Sequence, residues 1–202
     1  MTATQVAETV DGRRLRRQQN REAVIDALLA SFREGHYQPS STEIAQRAGL
    51  SPRSLFRYFD DIDDLHRAAT TREVRRARPL LDIGLGPAAR TDDKIRAVVA
   101  TRVRLYEQTR PSATAARIAA HGRAAVATEL AARRGFLRAQ VAELFAPELD
   151  QGHGGLLPAL DVLCSFEAYE LLRLDQGLSR PKTEAALVAA LRALLGTARG
   201  AR

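Results

Sequence analysis

The sequence predicts an all-α protein in which a small N-terminal three-helix domain is followed by a larger helical domain. Alanine, leucine, arginine and glutamate dominate the 202 residues and favour helices. Alternating apolar and polar runs, which are typical of strands, are few. The loop-like segment 82–87 marks the expected boundary, unless the fourth helix spans the junction. We therefore expect a basic arm over 1–16, the first domain over 17–78 and the second over 79–202.

The first helix is expected over residues 17–34. Apolar residues recur at helical spacing from Ile25 to Phe32, and they form one narrow face. Gly35 follows as a natural C-terminal stop. The pattern predicts an amphipathic helix that closes the N-terminal core.

A capping-box pattern predicts the start of the second helix. Ser40 is placed to cap the backbone at Glu43, and the Glu43 side chain is placed to bond the backbone at Ser40. The helix is expected to run through Ala48, and Gly49 ends it.

The third and fourth helices follow without a long loop. Ser51 is a good N-cap and Pro52 is tolerated at the first helical position, so a helix is expected from there to Phe59. Asp60 and Asp61 then cap a fourth helix that reaches about Arg78.

The second domain is predicted to contain helices only. They are expected over 91–108, 112–145 with a break near Gly122, 156–174 and 181–195. The segment 156–174 is apolar nearly all round, which predicts burial on more than one side. The short link after it makes the last two helices antiparallel neighbours.

Composition narrows the class of protein. The formal net charge of +7 makes nucleic acid, an anionic membrane surface or acidic ligands plausible partners, although genomic base composition equally explains the arginine excess. The single cysteine, Cys164, excludes an intramolecular disulfide and indicates a reducing compartment. No apolar run approaches the ~20 residues of a membrane span, and no signal peptide is evident. We expect a cytoplasmic protein.

The sequence contains no arrangement that predicts catalysis, a cofactor or a metal site. Its four histidines, His36, His66, His121 and His153, form no HExxH or other metal-binding spacing. A glycine-rich phosphate loop and a nucleophile elbow are absent as well. We therefore expect a protein that is not an enzyme and carries no cofactor.

The segment 40–59 predicts a helix-turn-helix. Ile44 and Ala45 of its first helix are spaced to pack on Leu55 and Phe59 of its second, which holds the second helix at an angle that fits the major groove. A helical hairpin buried in a core gives the same pattern. The dense positive run 13–21 favours the first interpretation, because an arm there could contact phosphates or the minor groove. A solvated charged face is the alternative for that run.

The stretch EIAQRAGLSPRSLFRYFDDIDDL resembles the DNA-binding signature of the tetracycline-repressor (TetR) family. The resemblance is close over 17–72 and general beyond. It implies a ligand-responsive repressor, associated with the nucleoid, that binds a palindromic operator as a dimer; an architectural DNA-binding protein without a sensor is the alternative. In that family the second helix of the motif reads the major groove. The candidate DNA-binding residues are Arg13, Arg14, Arg16, Arg17, Ser41, Thr42, Pro52, Arg53, Ser54, Phe56, Arg57 and Tyr58.

Two residues depart from the pattern of this family. Phe56 stands where a tyrosine usually meets a phosphate, and Ile62 stands where a lysine usually begins the fourth helix. The acids around Ile62 suit a helix N-terminus but repel phosphate. We therefore expect the arginine arm to supply a larger share of the affinity than in relatives.

The resemblance also implies a dimer and an effector pocket. The last two helices, about 156–174 and 181–195, would form a four-helix bundle with the same pair of a second subunit; a well-packed monomer explains the same apolar stripes. A pocket for a small-molecule effector would lie among the middle helices, where apolar walls meet a few polar groups. Taken singly, each candidate is more often a core or surface residue than a ligand contact. The candidates are Tyr106, Arg117, His121, Phe136, Phe145, Phe166, Glu167 and Tyr169.

Overall fold

A computed structural model of the chain describes residues 3–150 and 155–200, and in these ranges it contains helices, turns and loops but no strand. The all-α prediction is confirmed. His153 belongs to the segment that lies outside the described residues. The chain divides into two compact units: residues 1–76 with 111–126, and residues 77–110 with 127–202. A stretch expected in the second domain thus belongs to the first unit.

Four helices and part of a fifth build the first unit. The four are α1 (Ala3–Arg33), α2 (Ser41–Arg47), α3 (Pro52–Leu55) and α4 (Ile62–Ala77). Their apolar faces share one core, to which Ala115 of the fifth helix also belongs. The largest fully buried side chains of this core are Phe59, Ile25, Leu28, Ile44, Leu55 and Leu65.

The first helix begins at Ala3 and not at Arg17 as expected. Alanine, glutamate, glutamine and arginine continue upstream of Arg17 and favour helix, and no proline interrupts them. The single Gly12 costs only about 1 kcal/mol relative to alanine, so it does not end the helix. The basic run is therefore helical.

The caps of α2 and α3 confirm the local signals in the sequence. The Ser40 hydroxyl accepts a hydrogen bond from the Glu43 backbone N–H at 3.2 Å, and the Glu43 carboxylate accepts one from the Ser40 N–H at 2.7 Å. Gly49 has a φ of +70°, a left-handed conformation that suits glycine and ends α2. Ser51 caps α3, and Pro52 is its first residue.

The helix α5 (Thr91–Ala120) runs through Pro111, so the break expected there is wrong. The proline removes one backbone donor from the helix. This local cost does not end a helix whose flanking turns are packed on both sides: Tyr106 and Ala115 are buried. The predicted break near Gly122 is confirmed, since α6 (Ala124–Leu144) starts after a turn at 121–123.

The rest of the second unit is formed by shorter helices and one long one. They are the 3₁₀ turn Arg78–Leu81, α7 (Ala146–Leu149), α8 (Leu156–Leu163), α9 (Phe166–Glu170), the π turn Leu171–Asp175 and α10 (Arg180–Gly200). Within the described ranges, no helix is both long enough and apolar enough to cross a membrane.

The single helix expected over 156–174 is wrong. Ser165 interrupts it, because its hydroxyl accepts a hydrogen bond from the Ala168 N–H at 3.1 Å and thereby caps a new helix. The segment 156–174 is also not buried on more than one side in the single chain. Val162 is 64% exposed, Leu171 50% and Leu174 49%.

Candidate DNA-binding interface

The helix-turn-helix presents one short helix to solvent. Leu55 and Phe59 anchor α3 and the turn after it, being 0% and 2% exposed. The Arg21 guanidinium lies 4.8 Å from the centre of the Phe59 ring, a cation–π contact that ties α1 to this anchor. The helical hydrogen bonds of α3 span one turn only, whereas the sequence predicts a helix as far as Phe59.

Four of the predicted residues are exposed on α3 and the turn after it: Pro52, Arg53, Phe56 and Arg57. Phe56 is 49% exposed, which is unusual for a large apolar side chain beside buried neighbours. Such a ring suits apolar contact with a thymine methyl group. Arg53, Arg57 and the Phe56 ring are thus exposed together on a turn that the core holds in place.

Arg53 and Arg57 differ from Arg47 of α2 in having no acidic partner among the described residues. Arg47 makes two hydrogen bonds of 2.6 Å to the Glu34 carboxylate, and this contact lowers the Glu34 pKa. Among the described residues, no carboxylate forms a salt bridge with Arg53 or Arg57. Their charges are thus available to phosphate or to guanine.

Ser54 and Tyr58 are half-buried and already engaged. The Ser54 hydroxyl lies 2.9 Å from the Ser51 hydroxyl, inside the cap of α3. The Asn20 amide donates a hydrogen bond to the Tyr58 hydroxyl oxygen at 2.9 Å, which leaves the Tyr58 proton free to meet a phosphate. Asn20 is not among the predicted residues, because a contact between residues 38 positions apart leaves no local signal in the sequence.

The remaining predicted DNA contacts are exposed or half-exposed. Thr42 is exposed and Ser41 half-buried at the start of α2. Arg14, Arg16 and Arg17 are exposed on α1, and the Arg13 side chain lies outside the described residues.

The acids that open α4 have local partners. The Asp61 carboxylate accepts a hydrogen bond from the Asp64 N–H at 2.6 Å and so caps the helix. Asp63 lies 3.1 Å from the Arg123 guanidinium, and Asp64 lies 3.5 Å from that of Arg67. These contacts reduce the negative charge that the sequence places near the DNA side.

His66 lies on α4 against the core of the first unit. Its ring centre is 5.9 Å from that of Phe32. Burial lowers the His66 pKa to about 4, and the charge of Arg123 adds to this effect against the opposing charge of Asp63. His66 is therefore neutral at pH 7.

The predicted effector residues are divided between the two units. Arg117 and His121 belong to the first; His121 is exposed and its ring lies 2.9 Å from the Arg117 carbonyl oxygen. The other six belong to the second. Phe136 is 51% exposed, and Glu167 pairs with Arg134 on the surface.

Three of the predicted effector residues pack together in the second unit. The ring centre of Tyr106 lies 5.5 Å from those of Phe166 and Tyr169, which are 6.0 Å apart. The Tyr106 hydroxyl donates to the Cys164 carbonyl oxygen at 2.8 Å. Because all three rings are buried, they form core in this structure.

An open pocket of about 360 Å³ lies elsewhere in the second unit. The loop 82–87 forms one wall with Leu81, and the end of α6 forms the other with Gln140, Glu143 and Leu144. None of the predicted effector residues lines it. This pocket gives no signal in the sequence, because its loop carries no motif.

Residues 24–69 match the family described as bacterial regulatory proteins, tetR family. No curated protein matches the chain significantly. Among solved structures, the chain is similar to one from Rhodococcus sp. that is described as a TetR-family transcriptional regulator. The two share 19% identity and a TM-score of 0.66, over 87% of this chain and 98% of the other. At this identity the likeness establishes the fold, while the match over 24–69 confirms the resemblance of the DNA-binding segment.

Proposed function

We propose that the chain is a DNA-binding transcriptional regulator, and that it acts as an effector-responsive repressor that binds a palindromic operator as a homodimer. The match of residues 24–69 to the tetR family supports this proposal. The exposed, unpaired Arg53 and Arg57 on a turn held by Leu55 and Phe59 carry this proposal. A helix that recognises DNA in the major groove needs basic side chains that are held in place by the core and are not neutralised by acidic residues of the protein.

The proposed contacts divide into base reading and phosphate binding. Arg53, near the N-terminus of α3, reads a guanine edge through its planar fork, and Phe56 contacts a thymine methyl group. Arg57 and Tyr58 bind phosphates, as do Ser41 and Thr42 at the start of α2 and the arginines of α1. The Asn20 amide positions the Tyr58 hydroxyl for this task.

The proposed dimer forms through the last helices of the second unit. Val162, Leu171 and Leu174 expose apolar surface there that the single chain leaves to solvent. Leu187, Leu191 and Leu195 of α10 are buried within the chain. Two subunits joined in this way would place their α3 helices about 34 Å apart, or a multiple of that distance, on a palindromic site.

The proposed switch acts through α4, which leads directly into the second unit. An effector bound in the second unit would shift α4, and the α3 helices of the two subunits would then no longer match successive major grooves. To change occupancy substantially, the effector must favour the non-binding state by several kcal/mol.

Nuclease footprinting after selection of a site from random DNA tests the proposal. We expect a palindromic protected site and an Arg53→Ala protein that binds it about 10-fold or more weakly, since one bidentate contact to a base discriminates by about 1–3 kcal/mol. Arg96, an exposed arginine of the second unit that pairs with Asp92 at 2.9 Å, supplies the control, and R96A should bind as the parent does. Uniform protection of any DNA would instead support an architectural protein.

A further inference from the structure

Six successive residues of α1, at positions 14–19, are exposed on every side of the helix. Packing of α1 begins only after them, at the half-buried Asn20 and at the fully buried Val24. An isolated helix of a few turns is marginal in water, but a helix that continues a packed one needs no new nucleus. The basic part of α1 is therefore a helical extension, which the rest of the described chain leaves exposed.

Two contacts fix the rotation of α1 beside the turn that follows α3. The Asn20 amide donates to the Tyr58 hydroxyl oxygen at 2.9 Å. The guanidinium of the next residue, Arg21, lies 4.8 Å from the centre of the Phe59 ring. Consecutive residues of a helix point about 100° apart, so contacts on two neighbouring residues hold the helix against rotation about its axis. The Asn20 side of α1 is thus fixed beside Tyr58.

This rotation divides the exposed residues of the extension between two sides. Arg17 and Arg16 precede Asn20 by three and four positions, a spacing that brings residues to one face of a helix. Leu15 and Gln18 point about 140–160° away from Asn20, on the opposite side. The Leu15 side chain is 58% exposed there. Two cations therefore lie on the Asn20 side, and two uncharged residues lie on the other.

The two cations on the Asn20 side are not neutralised by the protein. Among the described residues, no carboxylate forms a salt bridge with Arg16 or Arg17. The next acids along α1 are Glu22 and Asp26, and both pair with Arg72 of α4, at 3.3 and 2.6 Å. Arg16 and Arg17 are thus available to an anion.

We propose that the extension of α1 is a rigid DNA-binding element, in which Arg16 and Arg17 bind phosphates next to the one that Tyr58 binds. This inference rests on the proposed function, and it adds which face of the extension meets DNA and what fixes that face. A DNA strand carries one phosphate per about 3.4 Å of duplex axis, so cations within about 6 Å of Asn20 along α1 suit neighbouring phosphates. Leu15 on the opposite side faces solvent.

A rigid extension and a flexible basic arm lead to different expectations. In a flexible arm only the number of arginines matters, because each arginine can turn toward a phosphate. In a rigid extension their positions matter, because the contacts of Asn20 and Arg21 fix the side that meets DNA. Moving the two charges to the opposite side of the helix therefore distinguishes the two cases.

The swapped variant combines Arg16→Gln and Arg17→Gln with Leu15→Arg and Gln18→Arg. It keeps the net charge of the chain, and Arg14 is unchanged. The matched variant R16Q/R17Q removes the same two charges without replacing them. Leucine, arginine and glutamine have similar helix propensities, and positions 15–18 are exposed. Both variants should therefore keep the melting temperature and the circular dichroism of the parent.

Fluorescence anisotropy at several salt concentrations measures the binding of each protein to the duplex obtained by site selection. We expect the swapped variant to lose as much affinity as R16Q/R17Q, about 10-fold or more at physiological salt. Both should flatten the slope of log K against log salt by up to about 2, since each phosphate contact contributes about 0.9. A swapped variant that binds as the parent does, or no effect of R16Q/R17Q, overturns the proposal.

An insertion tests the rigidity of the extension without removing any charge. Two alanines placed between Gln18 and Gln19 turn Arg16 and Arg17 by about 200° about the axis of α1. A rigid extension then loses their contacts, so this variant should bind as weakly as R16Q/R17Q. Binding equal to that of the parent would indicate a flexible arm and would contradict the proposal.

Failure of the proposed function gives a different result. If the parent selects no DNA site, the regulator proposal falls and this inference falls with it. If the parent binds its selected site and the swapped variant binds it equally well, the proposed function stands and only the rigid extension is wrong.

Discussion

At the scale of the residue, His66 shows how the core of the first unit fixes a charge state. The ring lies against Phe32, and burial lowers its pKa from the ordinary 6.5 to about 4. In the unfolded chain the same imidazole takes up a proton near pH 6.5. The folded state therefore binds fewer protons than the unfolded state between these two values.

We expect the free energy of unfolding to fall as pH drops from about 6.5 to about 4, by up to about 3 kcal/mol from this residue. Well above pH 6.5 His66 contributes no pH dependence, because it is then neutral in both states. Urea unfolding from pH 7 to pH 4.5 measures the effect by comparing the parent with His66→Gln, whose curve should be flatter. H121Q, at an exposed histidine, is the control and should follow the parent.

Single residues with long-range partners are the part of the site that the sequence does not disclose. The predicted residues of α3 come from a contiguous motif, whose periodicity separates Leu55 from its exposed neighbours. Arg102 of α5 differs, because this cation is 1% exposed and its two acceptors, the Gln140 side chain and the Leu137 carbonyl, are both supplied by α6. A basic residue within the apolar stripe of α5 was the available signal.

At the scale of the element, the capping box of α2 stabilises the first half of the helix-turn-helix. We expect Ser40→Ala to lower the free energy of unfolding by about 1 kcal/mol, since it removes the acceptor for the Glu43 N–H. Ser41→Ala one position later changes no cap and should stay within about 0.5 kcal/mol of the parent. Urea unfolding at pH 7 distinguishes them, and equal effects would show that the box does not stabilise α2.

The N-terminal part of α1 carries the second prediction at this scale. Replacing Arg14, Arg16 and Arg17 with glutamine should flatten the dependence of operator affinity on salt, because each lost phosphate contact removes about 0.9 from the slope of log K against log salt. Replacing Arg96, Arg104 and Arg192 in the second unit changes the net charge equally and serves as the control.

Fluorescence anisotropy at several salt concentrations measures both triple variants. The slope of the control should match that of the parent. An unchanged slope in the α1 variant would mean that its arginines make no phosphate contacts.

Elements that depend on neighbouring residues were predictable, and those that depend on packing were not. The caps at Ser40 and Ser51 arise from residues three positions apart, so their patterns were visible. Pro111 indicates a helix end by its local chemistry, yet α5 continues through it. Ser165 shows the opposite error. The apolar run around it predicts one continuous helix, whereas Ser165 caps a new helix.

At the scale of the whole molecule, the exposed apolar surface of the second unit predicts assembly. We expect Leu171→Glu combined with Leu174→Glu to give a monomer with helical content intact, because charges replace side chains that a partner would bury. Light scattering after size-exclusion chromatography measures the mass. The operator affinity of this variant should also be lower than that of the parent, since a monomer has one α3 helix and contacts only half of a palindrome.

Val74→Glu is the matched control for that pair. Val74 is 44% exposed, but it lies on α4 of the first unit. This variant should elute as the parent does. A dimer that persists in the double variant would place the interface elsewhere.

The thiol of Cys164 has a practical consequence for studying this molecule. It is the one cysteine of the chain, it is buried, and burial raises its pKa to about 12. A thiol in this state reacts slowly with alkylating reagents, because the thiolate is the reactive form. The natural chain is therefore a ready background for site-directed labelling. A cysteine introduced at an exposed position such as Thr42 would take a spin label selectively, and the distance between two such labels would test the proposed dimer in solution.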